Sequence, residues 1–268
     1  MMIKHIFTDL DGTLLASDGT LSSGNVAKIL ASQLPVTLVS ARAPMEMAFV
    51  LKALKLTDWQ VAFNGGLVYA PTPQGLQILE EKYLTGDLAG RLITLIQIYF
   101  PQVSLSFYDL EHWYTASVDA GILYEAKITG QTPTIIQPTE FFQTGPHKIF
   151  KIMLITFDSE ELQRLQYFLT ALELKGITIQ QSGTAYLEIT HEAAQKSAGL
   201  AIIMAKEKLG LEETAAFGDG HNDLPMLKMV GWPIAMANAQ KEVQKVAKFV
   251  TTSNNEDGVG AGIWRYLL

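Results

Sequence analysis

The sequence contains no cysteine, and this absence excludes several kinds of chemistry at once. A chain without thiols forms no disulfide, binds no metal through thiolates and has no cysteine nucleophile. No apolar run approaches the ~18 residues that a membrane span requires. Asp9 and Asp11 lie where the apolar segment of a signal peptide would fall, so we expect no such peptide. We therefore expect a cytoplasmic protein with no membrane partner.

An excess of positive charge is also missing. The chain has 20 Lys and Arg against 27 Asp and Glu, which gives a formal net charge of −7. Surfaces that bind nucleic acids or anionic lipids usually concentrate basic residues, so we expect no nucleic-acid partner. Hydrophobic residues make up 48% of the chain and charged residues 18%, as in an ordinary globular protein. A length of 268 residues predicts one large domain or two smaller ones.

Short apolar runs alternate with helical patterns in the first third of the chain and again in the last quarter. The predicted strands are 3–8, 36–39, 60–63, 214–217, 233–236 and 249–251, and the predicted helices are 22–33, 44–55, 196–208, 222–229 and 239–246. This alternation of strands and helices is typical of a parallel sheet with helices on both faces. Both ends of the chain are therefore expected to build one α/β core.

The middle of the chain has a different pattern, in which strands come in adjacent pairs. It comprises predicted helices at 87–99 and 159–175, predicted strands at 103–108, 112–118 and 149–157 and a final strand pair, and a stretch rich in Pro, Thr and Gly at 129–147. Adjacent strand pairs favour an α+β unit inserted into the α/β core. We predict a core domain of residues 1–82 and 188–268 and an inserted domain of residues 83–187.

Polar side chains follow several of the predicted core strands, at the point where each strand ends. These residues are Asp9, Asp11, Thr13, Ser40, Arg42, Asn64, Asp219, Asn222 and Asp223. Because sites in open α/β sheets form beyond the carboxyl ends of the strands, we expect these side chains to converge. Converging carboxylates repel one another unless a hard divalent cation neutralises them, and oxygen ligands favour Mg²⁺. Mg²⁺, carboxylates, a hydroxyl and a lysine are typical of phosphoryl transfer.

Four ordered motifs resemble those of the haloacid dehalogenase-like (HAD) hydrolases. They are Asp9-Leu10-Asp11-Gly12-Thr13-Leu14, Ser40, Lys196, and Gly218-Asp219-Gly220-His221-Asn222-Asp223. With "NGG" at 64–66, the layout is most similar to the Cof-type (subclass IIB) phosphatases. The resemblance implies a Rossmann-like α/β core with a parallel sheet and an inserted α+β cap of the C2B type. Residues beside Lys196 depart from the family pattern, which usually has a glycine there.

The resemblance also implies a role for each motif residue. Asp9 would be the nucleophile, Asp11 the general acid and base, and Lys196 a catalytic cation. Phosphate binding would fall to four residues: Thr13, Ser40, Lys196 and Asn222. The Mg²⁺ ligands would be the Asp9 carboxylate, the Asp11 backbone carbonyl and Asp219, with Asp223 or Asn222 contributing directly or through water. Arg42 is equally compatible with a structural ion pair and with a substrate contact, and Ser40 also with a helix cap.

These implications predict a Mg²⁺-dependent phosphatase that hydrolyses small phosphorylated metabolites through an aspartyl-phosphate. Sugar phosphates are the expected substrates, and specificity is expected from the inserted domain. Two alternatives stay open. A phosphotransferase or phosphomutase would pass the phosphoryl group to another hydroxyl, and a non-catalytic sensor would bind a sugar phosphate without turnover. The sequence carries no signal for an oligomeric state.

Overall fold

The computed structural model describes residues 2–268 and divides into two compact units. The first unit comprises the chain up to Arg42 together with Met47–Glu81 and Gln195–Leu268. The second unit comprises Ala43–Glu46 and Lys82–Ala194. The first unit is therefore built from segments that are distant in sequence, whereas the second is nearly continuous.

The helices and strands fall into three stretches along the chain. The first contains β1 (His5–Thr8), α1 (Ser23–Ser32), β2 (Val36–Leu38), α2 (Pro44–Leu54), β3 (Gln60–Ala62), β4 (Leu67–Thr72) and β5 (Gly75–Glu81). The second contains β6 (Leu84–Thr85), α3 (Gly86–Tyr99), β7 (Ser104–Tyr108), β8 (Trp113–Thr115), α4 (Ala120–Thr129), β9 (Thr134–Ile135), α5 (Pro138–Phe141), β10 (Lys148–Ile149), β11 (Lys151–Ile155), α6 (Ser159–Ala171), β12 (Ile177–Ser182) and β13 (Tyr186–His191). The third contains α7 (Lys196–Glu207), β14 (Thr214–Gly218), α8 (Leu224–Leu227), β15 (Trp232–Ala235), α9 (Lys241–Val246), β16 (Phe249–Val250) and α10 (Gly258–Tyr266).

A parallel sheet with the strand order β16-β15-β14-β1-β2 forms the centre of the first unit. A single parallel bridge between Val39 and Val61 links it to the antiparallel strands β3, β4 and β5. After β1 the chain continues to β2, which lies on one side of β1, and it later forms β14 on the other side. A reversal of this kind opens a crevice at the carboxyl ends of the two central strands.

Short side chains at the helix faces let the helices approach this sheet closely. A Cβ at Gly199 of α7 would overlap the Val61 side chain of β3, and one at Gly262 of α10 would overlap the ring of Phe217 in β14. The backbone N–H of Gly260 donates to Asn25 of α1 at 2.9 Å, which ties the two helices together. The helices are thus held against the strands that carry the polar residues.

An antiparallel sheet with the strand order β12-β13-β11-β7-β8-β9, in which only the β8–β9 pair is parallel, forms the second unit. Alternate side chains face opposite sides of a strand, and here they separate by polarity. One face is apolar and packs with α3 and α6; it includes Leu105, Phe107, Ile152, Leu154, Leu187 and Ile189. The opposite face bears polar groups, which include Ser106, Lys151 and Glu188.

The α/β class and the inserted antiparallel unit agree with the sequence-based expectation, but several elements differ. The predicted helix at 222–229 is wrong in extent, because His221–Asp223 is a 3-10 turn and the α-helix that follows ends at Leu227. The helix predicted at 159–175 ends at Ala171. Helices α4 and α10 and the β4–β5 hairpin were not predicted. None of the helices within residues 2–268 combines the length and apolarity needed to cross a membrane.

Candidate active site

The carboxyl ends of β1 and β14 bring Asp9 and Asp219 together. The Asp9 backbone N–H donates to the Phe217 carbonyl at 3.1 Å, which fixes the two strand ends side by side. Thr13 donates its hydroxyl proton to Asp219 Oδ1 at 2.7 Å. Gly12, with φ of +76°, passes so close to the Asp219 carboxylate that a Cβ would overlap it. The turn after β1 therefore needs glycine in order to seat Asp219 beside the nucleophile candidate.

Lys196 joins two of the carboxylates inside the first unit. It is the first residue of α7, it is buried, and its Nζ lies 2.5 Å from Asp9 Oδ1 and 2.7 Å from Asp223 Oδ1. Burial alone lowers the pKa of this ammonium, but the charges of Asp223 and Asp9 outweigh it and hold the pKa above its ordinary value. Lys196 is therefore a permanent cation within the cluster.

Asp223 is fully buried and uses both of its oxygens within the protein. Its Oδ2 accepts the backbone N–H groups of Asp219 at 2.9 Å and Gly220 at 3.0 Å, while its Oδ1 accepts from Lys196. A buried carboxylate is stable only with such partners. Asp223 thus fixes both the 219–220 loop and the lysine.

Burial and mutual repulsion raise the pKa values of the other two carboxylates. Burial first, and then the charges of Asp223 and Asp219, hold the pKa of Asp9 well above its ordinary value, against the opposing pull of Lys196. Burial likewise raises the pKa of Asp219 to about 6, although the hydrogen bond from Thr13 favours the charged form. Without a further cation, this cluster is short of positive charge.

The three carboxylates fit a divalent cation. One oxygen from each of Asp9, Asp219 and Asp223 lies within 4.8 Å of the others. Asp9 Oδ2 and Asp219 Oδ2 have no hydrogen-bond partner within the described residues 2–268, so both remain available as ligands. Three carboxylates and one ammonium leave two uncompensated negative charges, which one divalent ion cancels. An all-oxygen donor set suits a hard cation of that charge.

Asp11 lies at the rim of the cluster and is held by Arg42. Arg42 Nε donates to Asp11 Oδ2 at 2.8 Å, and Nη2 donates to Oδ1 at 2.7 Å. The Asp11 side chain is 56% exposed, whereas that of Arg42 is 9% exposed. A two-pronged guanidinium contact fixes the plane of a carboxylate as well as its position. Of the two readings of Arg42, the structure shows the ion pair.

Ser40 and Asn222 lie on loops that meet at Asn64. Ser40 Oγ accepts the backbone N–H of Arg42 at 3.1 Å, so it closes its own turn and does not cap α2. Its hydroxyl proton has no acceptor within residues 2–268. The Asn222 amide donates to Asn64 Oδ1 at 3.4 Å. A free hydroxyl proton thus remains on a buried serine next to the carboxylate cluster.

Comparison with known proteins assigns the family. The family model of the haloacid dehalogenase-like hydrolases matches residues 6–263, and the chain belongs to that family. A putative phosphatase of Haemophilus influenzae is 30% identical over 97% of this chain and 96% of its own. A 5-amino-6-(5-phospho-D-ribitylamino)uracil phosphatase of Bacillus subtilis is 28% identical over 96% of both chains. The crystal structure of a haloacid dehalogenase-like hydrolase from Bacteroides thetaiotaomicron is similar with a TM-score of 0.89 at 26% identity, covering 98% of this chain and 99% of that one.

Most of the site residues named from the sequence come together in the first unit. The carboxylate cluster unites Asp9, Lys196, Asp219 and Asp223, and Asp11 lies at its rim. Thr13, expected to bind phosphate, gives its hydroxyl proton to Asp219 and its backbone N–H to Leu10. The Arg42–Asp11 pair and the contact with Asn64 were not predicted. In the sequence, Asn64 is a polar residue after a strand and the first residue of the NGG motif, but neither feature assigns it a partner.

Proposed function

We propose that this protein is a Mg²⁺-dependent phosphatase that hydrolyses small phosphomonoesters through an aspartyl-phosphate on Asp9. One observation carries the proposal: the buried Lys196 ammonium joins Asp9 to Asp223 within a group of three carboxylates. A buried ion pair is a weak source of stability, and a strand end crowded with carboxylates is costly. Such a cluster is better explained by a catalytic task than by folding.

Asp9, Asp219 and the Asp11 backbone carbonyl are proposed to hold the cation directly. Asp9 and Asp219 each keep one oxygen without a partner among residues 2–268, whereas both Asp223 oxygens are already engaged. We therefore assign Asp223 to positioning Lys196 and the 219–220 loop, or to contact through water. When bound, a divalent cation neutralises charge on the phosphoryl oxygens and on the carboxylates.

In the first step, an Asp9 carboxylate oxygen forms a bond to phosphorus while the bond from phosphorus to the alcohol oxygen breaks. Asp11 gives its proton to the departing oxygen, so that an alcohol leaves. Arg42 keeps the Asp11 carboxyl plane fixed during this transfer. Lys196 stabilises charge on the phosphoryl oxygens.

In the second step, Asp11 removes a proton from a water molecule as its oxygen attacks phosphorus. The Asp9–phosphorus bond breaks, which releases inorganic phosphate and restores the Asp9 carboxylate. Ser40 is proposed to donate its free hydroxyl proton to a phosphoryl oxygen, with Asn222 nearby. Because Thr13 donates to Asp219, we propose that Thr13 orients the Asp219 carboxylate as a metal ligand.

A sugar phosphate or a similar polyol phosphate is the proposed substrate class. The polar face of the second unit's sheet carries Lys151 and Glu188, both buried, and Tyr186 donates to Glu125 at 2.9 Å. Ser106 Oγ is buried on the same face and has no hydrogen-bond partner in the described part of the chain, residues 2–268. Charged and hydroxyl groups of this kind recognise hydroxyl-rich molecules by hydrogen bonding.

The decisive experiment measures phosphate release from a panel of phosphomonoesters by the wild type and by D9N, with and without Mg²⁺. We expect Mg²⁺-dependent turnover that D9N loses by about 10³-fold or more, because the amide oxygen is a poor nucleophile. D58N, which removes an exposed carboxylate of the first unit, serves as the matched control and should retain full activity.

Three other results would redirect the proposal. Turnover that survives D9N would rule out the aspartyl-phosphate. Transfer of the phosphoryl group to an added alcohol in preference to water would favour a phosphotransferase. A wild type that releases no phosphate, yet melts at a higher temperature with one panel member, would favour the sensor.

A further inference from the structure

Three consecutive residues after β3 adopt a backbone conformation that side chains rarely tolerate. Phe63, Asn64 and Gly65 have φ values of +50°, +56° and +98°. A bulky residue such as phenylalanine in this region is uncommon, and a run of such residues persists only where the surroundings enforce it. Strained backbone of this kind concentrates at functional sites.

The surroundings that enforce this conformation are the loops of the carboxylate site. The backbone N–H of Phe63 donates to the Arg42 carbonyl at 3.0 Å, and that of Asn64 donates to the Ser40 carbonyl at 2.8 Å. On the other side, a Cβ at Gly65 would overlap the carbonyl of Gln195, the residue before Lys196. The segment is therefore clamped between the Ser40 turn and the start of α7.

The Asn64 side chain is buried, with 7% of the residue exposed. Its Oδ1 accepts from Asn222 at 3.4 Å, but its amide N–H groups have no acceptor within residues 2–268. The hydroxyl proton of Ser40 is also without an acceptor there. Two neighbours linked through their backbones thus keep donors that no group within residues 2–268 accepts. These donors are available to a ligand that enters the site.

We propose that Asn64 is a phosphate-binding residue whose Nδ2 donates to a nonbridging phosphoryl oxygen, together with the hydroxyl of Ser40. The inference rests on the proposed function, since it needs a phosphoryl group at Asp9. Asparagine is a neutral donor that also tolerates the left-handed backbone conformation. Asparagine therefore adopts the left-handed conformation and also supplies the hydrogen bond, whereas glycine would only adopt the conformation.

Substitution by glycine and by aspartate separates the two roles. N64G keeps the backbone conformation and loses the donor, while N64D keeps the shape and the acceptor for Asn222 but replaces the donor with a negative charge. A purely structural Asn64 predicts that N64G, which keeps the backbone conformation, binds phosphate as the wild type does. A phosphate-binding Asn64 predicts that N64G binds phosphate more weakly and that N64D, whose carboxylate also repels the anion, binds it more weakly still.

The test measures the Kd of inorganic phosphate by titration calorimetry at saturating Mg²⁺, which requires no turnover. We expect N64G to weaken binding about tenfold and N64D by about 100-fold, the range for hydrogen bonds to charged groups. The same variants should raise KM for a phosphomonoester by similar factors. N255D and N255G, at an exposed asparagine of the same unit, should bind phosphate as the wild type does.

Either of two results would overturn the inference: phosphate affinity in N64G within twofold of the wild type, or tighter binding by N64D than by N64G. Melting temperatures without ligand show whether each variant is folded, and S40A provides the reference for loss of a neighbouring donor. The inference and the proposed function fail separately. A wild type without turnover ends the proposed function, whereas a wild type with normal turnover and unaffected Asn64 variants ends only this inference.

Discussion

Asp219 and Asp223 are four residues apart in one motif, yet their surroundings differ. Asp223 accepts three hydrogen bonds, one of them from Lys196, and is fully buried. Asp219 accepts one hydrogen bond, from Thr13, and none from any other side chain within residues 2–268. Burial raises its pKa to about 6. The fold stabilises the charged form of the Asp223 carboxylate, whereas it destabilises the charged form of Asp219.

This contrast predicts opposite effects of the same chemical change on stability. At pH 7 without metal, D223N should lower the free energy of unfolding by about 3 kcal/mol, because it removes one partner of a buried ion pair. D219N should leave the stability unchanged or raise it, because the charged form of Asp219 is unfavourable there. Urea unfolding in the presence of a chelator measures both. Equal losses in the two variants would contradict the assignment.

The start of helix α7, at Lys196, lies close to Gly65 of the neighbouring loop. A Cβ at Gly65 would meet the Gln195 carbonyl, one residue before the lysine. An interaction of this kind joins distant parts of the chain and is not visible in a local motif.

G65A should displace the start of α7 and, with it, Lys196. We expect a lower melting temperature and a loss of kcat of about 100-fold, because the substitution adds a steric overlap to a strained φ of +98°. G176A is the matched control: its φ is +85°, but nothing lies within 4 Å of its Cβ position. G176A should lose a little stability and no activity. If G65A is no worse than G176A, the packing argument is wrong.

The elements that could be predicted from sequence are those with an unambiguous pattern. The central strands are continuous apolar runs followed by polar residues, so β1 and β14 were predicted almost to their ends. Helix α10 has the sequence GVGAGIWRY, whose glycines disfavour a helix. It forms because those glycines allow contact with α1 and β14. These contacts depend on tertiary packing and are not visible in the local sequence. Helix α4 leaves Leu123 and Tyr124 exposed and lacks a clear apolar face.

The same limit applies to the site. Charged groups at strand ends were predicted to converge because the topology requires it. Which oxygen bonds to which donor was not predictable, since that depends on distances within a folded loop. Thr13 and Arg42 illustrate the difference: both belong to recognisable motifs, but their partners, Asp219 and Asp11, were not identified from the sequence.

For the molecule as a whole, the charge of the cluster makes stability depend on metal and pH together. Asp219 has a folded-state pKa of about 6, above its ordinary value of 3.8. The stability that its protonated form contributes is therefore complete below pH 3.8 and is lost as the pH rises through 6. A cation binds the charged form, so Mg²⁺ should raise the melting temperature more at pH 7 than at pH 5.

Thermal unfolding at both pH values, with Mg²⁺ or with Na⁺ at matched ionic strength, measures this effect. D219N should remove most of the dependence of the Mg²⁺ shift on pH, since the titrating ligand is gone. A Mg²⁺ shift that is the same at both pH values in the wild type would show that Asp219 does not control metal binding.

The first unit is assembled from both ends of the chain, and this has a consequence for protein synthesis. Strand β1 is translated before the second unit, but its neighbour β14 begins at Thr214, after the whole second unit has been made. The second unit is nearly continuous and is able to fold while translation continues. Until then the apolar surface of β1 is without its partner strand. Asp9, which follows β1, thus reaches Asp219 and Lys196 only after the second unit and the segment that follows it have been made.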